Sequence, residues 1–259
     1  MTALPLSGAG HAAGGGFRHD TVAGLKLWIC AGLVKNQSGY ASQVFDKSGN
    51  GNDLVQATPD YRPAIVASAI NGQPVLRFDG DDEFMWRAGD LGLFTGDDVK
   101  LTSFVVYQHA TGSLAGNEIL WSANNDTTYH PRHSVEVDDD EKYVHYKRPT
   151  YLAASQVLSD AAQVDTDPHI RVDLHHGTTV EMFRDGGTKV NTTTAQDTAE
   201  MPTIKRFCVA ARHENVTAYY WNGDIAEVLI YAGDKSAADI NLVGAYLEAK
   251  YGITWTNIT

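Results

Sequence analysis

The sequence predicts an all-β fold: an antiparallel β-sandwich of jelly-roll type, closed by one short C-terminal helix. Three observations carry this. Short strand candidates recur from residue 21 onward, with turn residues between them. Helical periodicity with readable caps marks one stretch near the chain end. The length, 259 residues, suits a single large all-β domain and can bury a sizeable core. We divide the chain into a glycine-rich N-terminal arm, residues 1–20, and one sandwich, residues 21–259, with no internal repeat and no linker inside it.

The arm carries Gly8, Gly10, Gly14, Gly15 and Gly16 among alanines, with no periodicity and little side-chain volume. Alone it is expected to be mobile; ordered, it is expected to lie against a partner subunit. Strand candidates follow at Leu25–Ile29, Pro74–Phe78, Leu101–His109 and Glu118–Ser122. His133–Val137 and Lys142–Lys147 come next, with an acidic run between them. Ile170–His175 alternates apolar and polar residues, as a strand with one wet face should. Thr179–Arg184 leads into Asp185-Gly186-Gly187, a hairpin signal, and then a return strand at Thr188–Val190. Arg206–Ala211, Ala218–Asn222 and Ile225–Tyr231 complete the set. The helix then reads from its ends. Ser236 caps it, Asp239 sits three residues on, and Gly252 follows the last turn. Ile240, Val243, Leu247 and Tyr251 form its apolar face, and Asp239 and Lys250 each suit the dipole end they occupy.

Three pieces of sequence, in this order, carry a resemblance: Leu25–Ile29; the pair Asp46–Asp53 and Asn71–Asp82; and Gly223–Tyr231 with the Ser236 helix and Ala245–Ile253. Together they resemble laminin G-like domains of the concanavalin A-like lectin/glucanase superfamily, over roughly residues 21 to 253. The resemblance implies a concanavalin A-like sandwich. It implies little about function, because this fold hosts lectins, glucanases, adhesion modules and virion proteins.

A net charge of −12 argues against nucleic acid, whose phosphates need a basic surface, and against attachment to anionic membranes. No apolar run is long enough to span a bilayer. The stretch from Met1 to His11 has neither a basic start nor a continuous apolar segment, so it does not read as a secretory signal. In a protein made without export, Cys30 and Cys208, both in predicted strands, are expected to be buried free thiols rather than a disulfide.

Four groups of side chains are candidates for chemistry. Glu136, Asp138 and Glu141 match the spacing of the carboxylate strand that the resembling glucanases carry, and retaining hydrolysis needs two facing carboxylates. Asp139 and Asp140 stand where those enzymes have apolar residues, so the run reads as a solvated hairpin tip. Asp46, Asp53, Asp79, Asp81 and Asp82 form the second group. Ca²⁺ takes such hard oxygen ligands, with Asp46 and Asp79 as the tentative pair, but the same residues are good turn formers. Among the histidines, adjacent His175 and His176 point to opposite faces of a strand, and His130 and His133 flank a proline; the set reads as surface polar residues. The aromatics come last. Tyr219, Tyr220 and Trp221 sit together, with Trp121, Tyr129, Tyr143, Tyr146 and Tyr151 elsewhere. Core packing is the default, and the outward rings of the Tyr219–Trp221 group are candidates for glycan or partner contact.

These readings lead to a non-catalytic structural or interaction protein. The first expectation is a bacteriophage virion component, a capsid decoration or tail-associated subunit, located in the virion. It would bind other virion proteins or copies of itself, and host glycans. The alternative is a carbohydrate-binding or adhesion module, outside the cell if exported. A glycosidase using Glu136 and Glu141 ranks third. No cofactor is expected beyond the tentative Ca²⁺.

Overall fold

The computed structural model describes residues 21–94, 99–114, 116–125, 132–148, 155–191, 201, 203–213 and 217–259. The predicted arm, residues 1–20, and His130, Tyr129 and Tyr151 lie outside them. The chain opens with β1 (Leu25–Cys30), β2 (Val34–Gln37), β3 (Tyr40–Val44) and β4 (Leu54–Val55). A 3-10 turn at Pro59–Tyr61 leads to β5 (Ala64–Ile70), β6 (Gln73–Asp79) and β7 (Met85–Ala88). Then come β8 (Lys100–His109), β9 (Glu118–Asn124), β10 (Arg132–Val137), β11 (Tyr143–Arg148) and β12 (Ser155–Leu158). β13 (His169–His176), β14 (Val180–Arg184), β15 (Arg206–Val209), β16 (Arg212–His213), β17 (Thr217–Ala218) and β18 (Asn222–Ala232) precede α1 (Ala237–Tyr251).

Strand pairing is antiparallel throughout these elements. The first layer runs β12-β11-β10-β9-β15-β7-β4-β3, with β2 on β3. The second runs β5-β6-β18-β8-β13-β14, with β1 on β18. One residue pair, Tyr40↔Ala64, joins β3 to β5, so a single sheet folds over onto itself. Between the layers lies the larger core, with Trp121, Val135, Val137 and Phe207 from the first layer and Leu76, Val105, Val228 and Ile230 from the second. A smaller core, with Phe104, Ile170, Val172, Leu229 and Tyr231, packs the outer face of the second layer against Ile240, Val243, Leu247 and Tyr251 of α1.

The closing segment takes the form its sequence predicts. Ser236 Oγ accepts the Asp239 N–H at 3.2 Å, and Gly252 ends the helix in the left-handed region at φ 69°. Gly244 faces Trp255, whose ring lies 2.1 Å from where a Cβ would stand, so the helix needs a glycine there. Gly223 has the same role in β18, where a Cβ would fall 2.2 Å from the Gln108 carbonyl oxygen of β8.

Three expectations are corrected. β13 has no wet face: Ile170, Val172 and Leu174 are covered on the α1 side, while Arg171, Asp173 and His175 are buried with them. The alternation is real, but its polar side faces other polar groups inside the molecule. Residues 219–221 are not strand; Thr217–Ala218 and Asn222–Ala232 are separate elements. Nor is Thr188–Val190 a strand, although the Val190 N–H does return to the Met182 carbonyl at 2.8 Å. Gly186 bridges to Thr256 instead. Cys30 and Cys208 are both buried free thiols.

Candidate functional site

The approach to β18 builds the most usable surface on the rim. Tyr219 sits in the left-handed region at φ 58°, a conformation non-glycine residues adopt at a cost. Its neighbours hold it there. The Ile119 N–H donates to the Tyr219 carbonyl at 3.1 Å, and the Trp221 N–H donates to the Ala210 carbonyl at 2.9 Å. The Asn222 N–H donates to Glu118 Oε2 at 3.1 Å. The Tyr219 residue is 41% exposed, and the Arg212 guanidinium stacks over its ring at 4.2 Å. Tyr220 is half-buried. Its ring lies 6.4 Å from Phe84, which in turn lies 6.0 Å from the ring of the exposed Tyr61. Trp221 is fully buried, packed on His109 at 4.4 Å and Tyr107 at 5.4 Å, so it is core and not contact surface.

Tyr219 and Tyr220 form one wall of an open groove of about 460 Å³, lined also by Thr111, Ser113, Asn117 and Glu118. The groove therefore offers aromatic surface, two hydroxyls, an amide and a carboxylate on a fixed scaffold. Sugars present the matching features, an apolar C–H face and a ring of hydroxyls. Of these residues, the sequence pointed to Tyr219 and Tyr220. Thr111, Ser113 and Asn117 before β9, Glu118 at the start of β9 and Arg212 on β16 join them only through tertiary geometry, for which no local signal exists.

The acidic run sits where the hairpin reading placed it. β10 and β11 flank it, the Lys142 N–H donates to Asp138 Oδ1 at 2.9 Å, and Asp139 and Asp140 are exposed. Glu141 takes φ 63° in the turn. Glu136 is buried apart from the tip, beside Ser134, whose hydroxyl donates to it, and 3.6 Å from Arg132. Glu136 is thus engaged by its own strand, and Glu141 belongs to the turn.

Asp46 is a turn staple. Its Oδ1 accepts the N–H groups of Trp28 at 3.0 Å and Ser48 at 2.9 Å. Its Oδ2 accepts the Asn52 N–H at 2.9 Å and the Ser48 hydroxyl at 2.6 Å. Asp53 accepts the Asp46 N–H at 2.8 Å. Asp79 accepts the Asp81 N–H at 2.9 Å in a second turn, with Asp82 nearby. Burial, and after it the Asp79 charge, pushes the neighbouring Glu83 up to about 7. Among the described residues, the cluster of three or more convergent metal-ligand groups is His133, His145 and His175, and it includes neither Asp46 nor Asp79.

That cluster corrects the surface reading of the histidines. His176 is on the surface, 3.2 Å from Asp234. His133 and His175 are wholly buried, and His145, which no motif marked, stands between them. Desolvation, and then the proximity of the other rings, holds the His133 and His175 imidazoles well below their ordinary value and so neutral. The remaining aromatics are mostly core. Trp121 stacks on Phe207 at 5.9 Å, and Tyr143 is buried with its hydroxyl bonded to that of Tyr107. Tyr146 is half-buried under Arg132 at 4.2 Å.

No known family profile matches the chain, and no curated protein matches it. Solved structures do. A Trypanosoma rangeli sialidase in complex with sialic acid superposes with a TM-score of 0.58 at 11% identity, over 88% of this chain and 33% of that one. A mutant of the same sialidase displaying trans-sialidase activity gives 0.56 at 11% identity, over 90% and 34%. A Ruminococcus gnavus IT-sialidase CBM40 bound to α2,3 sialyllactose gives 0.49 at 14% identity, over 66% and 95%. This chain spans about a third of the length of the Trypanosoma rangeli chains it matches. At such identities the likeness is one of fold alone.

Proposed function

We propose that this chain is a non-catalytic carbohydrate-binding module whose sugar site is the Tyr219–Tyr220 groove. The observation that carries the reading is Tyr219: an exposed ring, held at positive φ by backbone bonds on both sides, beside hydroxyl, amide and carboxylate groups. Strained, well-braced residues gather at ligand sites. The role of binding module, the alternative in the sequence reading, thus comes ahead of the virion structural or interaction role placed first there. Glu118 brings a negative charge to the groove, which favours neutral sugars over acidic ones. Sialic acid, which a fold neighbour holds, is the contrasting probe. A non-catalytic role is supported by Glu136, bound by Ser134 on its own strand, and Glu141, held in a turn.

Placement among laminin G-like domains rests on the closing signature, Gly223–Tyr231 with the Ser236-capped helix. A virion setting, with other virion proteins or copies of the chain as partners, rests on sequence alone; it is where such a module would be displayed.

A glycan array with neutral and sialylated arms, followed by calorimetry on the hits, tests the groove. Tyr219→Ala should weaken binding of a hit by about tenfold, the weight of one stacked ring. The circular dichroism spectrum should stay unchanged. An array without hits, or a hit indifferent to Tyr219→Ala, removes the groove as the site.

A further inference from the structure

The interior holds a second cluster, which sugar binding on the rim does not use. His133 on β10 and His145 on β11 belong to the first layer, and His175 on β13 belongs to the second. Each is 0% exposed, and their ligand atoms lie within 4.8 Å of one another. The ring centroids stand 4.8, 5.0 and 5.1 Å apart.

Hydrogen bonding on the far sides of two rings fixes their protons. His145 Nδ1 faces Asp173 Oδ1 at 3.2 Å, and Asp173 is itself gripped by Arg171 at 2.8 and 2.9 Å. His175 Nδ1 faces the Val99 carbonyl at 2.5 Å. Carboxylates and carbonyls only accept, and at His175 Nδ1 the Val99 carbonyl at 2.5 Å outweighs the Gly177 N–H at 3.3 Å, so both Nδ1 atoms carry hydrogen and both Nε2 atoms present lone pairs. His133 Nε2 lies 2.6 Å from His145 Nε2. A neutral His133 has one N–H and satisfies only one of these lone pairs. Accordingly, His175 Nε2 and His133 Nδ1 have no hydrogen-bond partner among the described residues. Buried acceptors left this way are costly. A shared cation on the three Nε2 atoms takes these lone pairs and leaves only the His133 Nδ1–H to be satisfied. Imidazoles whose outer N–H is held by a carboxylate or a carbonyl are also the usual form of metal-ligating histidine.

We propose that His133, His145 and His175 bind a transition-metal dication of the Zn²⁺ class, which cross-links the two layers of the sandwich. Nitrogen ligands suit Zn²⁺ and exclude Ca²⁺, which takes oxygen. Zn²⁺ takes four donors, so three come from these rings and one from solvent or another group. Lys147, buried opposite His133 in register, brings a positive charge that opposes the ion. All three rings are buried between the layers, which gives the ion a structural role there.

Metal analysis of the untagged full chain, purified without chelator, tests this. The expected content is about one Zn²⁺ per chain, and Co²⁺ exchanged into the protein should give visible absorption bands of a low-coordinate nitrogen site. His145→Gln and His175→Gln should each cut the content to below roughly a tenth of an equivalent. If these variants fail to fold, Asp173→Asn keeps all three ligands and should weaken Zn²⁺ affinity by ~10-fold to 100-fold. Lys147→Met should tighten it. A wild-type chain that takes up less than a tenth of an equivalent from added Zn²⁺ and gives no Co²⁺ bands overturns the proposal. So does metal content that His145→Gln and His175→Gln leave unchanged, which would mean adventitious binding elsewhere.

Discussion

Glu227, on β18, is a buried carboxylate that gathers four donors from two other elements: Trp28 Nε1 on β1, and Tyr246 Oη at 2.9 Å, Lys250 Nζ at 2.7 Å and Tyr251 Oη at 2.7 Å on α1. Burial, and after it the Glu227 charge, keeps both tyrosine hydroxyls protonated far above their ordinary range, so both remain donors. One acceptor thus fixes the helix to the sheet it closes. Glu227→Ala removes the acceptor that these donors share, leaves the buried Tyr251 hydroxyl without it, and should cost ~1–3 kcal/mol in urea denaturation, the penalty for an unsatisfied buried donor. Glu227→Gln, which keeps an acceptor oxygen, should cost less. A loss below about 0.5 kcal/mol for the alanine variant, the usual size of a surface change, would refute the staple. The sequence showed this segment as an apolar strand but did not reveal what Glu227 does. A shift in register between Ile225 and Glu227 sets its partners, and residue pattern does not report such a shift.

At the scale of elements, what the sequence showed depended on burial. β8 and β18 were readable as long runs of apolar and β-branched residues, β13 by its alternation and the helix by its caps and period. β2, Val34-Lys-Asn-Gln37, was not, being largely exposed and polar, and β4 and β12 are too short to show a period. The end of the β13–β14 pair carries its own clamp. His169 Nε2 meets Asp165 at 2.8 Å and its Nδ1 meets Asp185 at 2.7 Å, with Arg184 and the Tyr107 ring against the same imidazole. Burial opposes the charge on His169, but the bonds to Asp185 and Asp165 win and raise it above its ordinary 6.5. Burial likewise acts against ionised Asp165, yet the bonds from His169, the Asp167 N–H and Arg184 bring it down to about 2. The signs follow. The His169 contribution is complete below pH 6.5 and fades as pH rises through the folded value. The Asp165 contribution is complete above 3.8 and fades as pH falls towards about 2. Urea midpoints of wild type and His169→Gln should therefore differ most below pH 6.5 and converge at alkaline pH. A gap that is constant with pH would mean that His169 acts by packing alone.

For the whole molecule, the sandwich was legible and its interior was not. Alternation along Ile170–His175 gives a polar face but cannot say whether that face meets water or another polar face. Only the second layer, folded over at Tyr40↔Ala64, decides it. The two free cysteines report on how firmly the layers hold together. Cys30 is in β1 of the second layer and Cys208 is in β15 of the first. Burial raises both thiols above their ordinary value, so neither forms a reactive thiolate while folded. The inter-layer core is one continuous cluster with residues from both layers, so they should separate in a single step. Both thiols should then react with an aromatic disulfide reagent at one shared rate that rises with urea along the unfolding curve. The urea midpoint should be the same with and without reductant, as no disulfide is present to reduce. Labelling of Cys208 well before Cys30 would instead show the first layer opening by itself, and the sandwich would be two stability units rather than one.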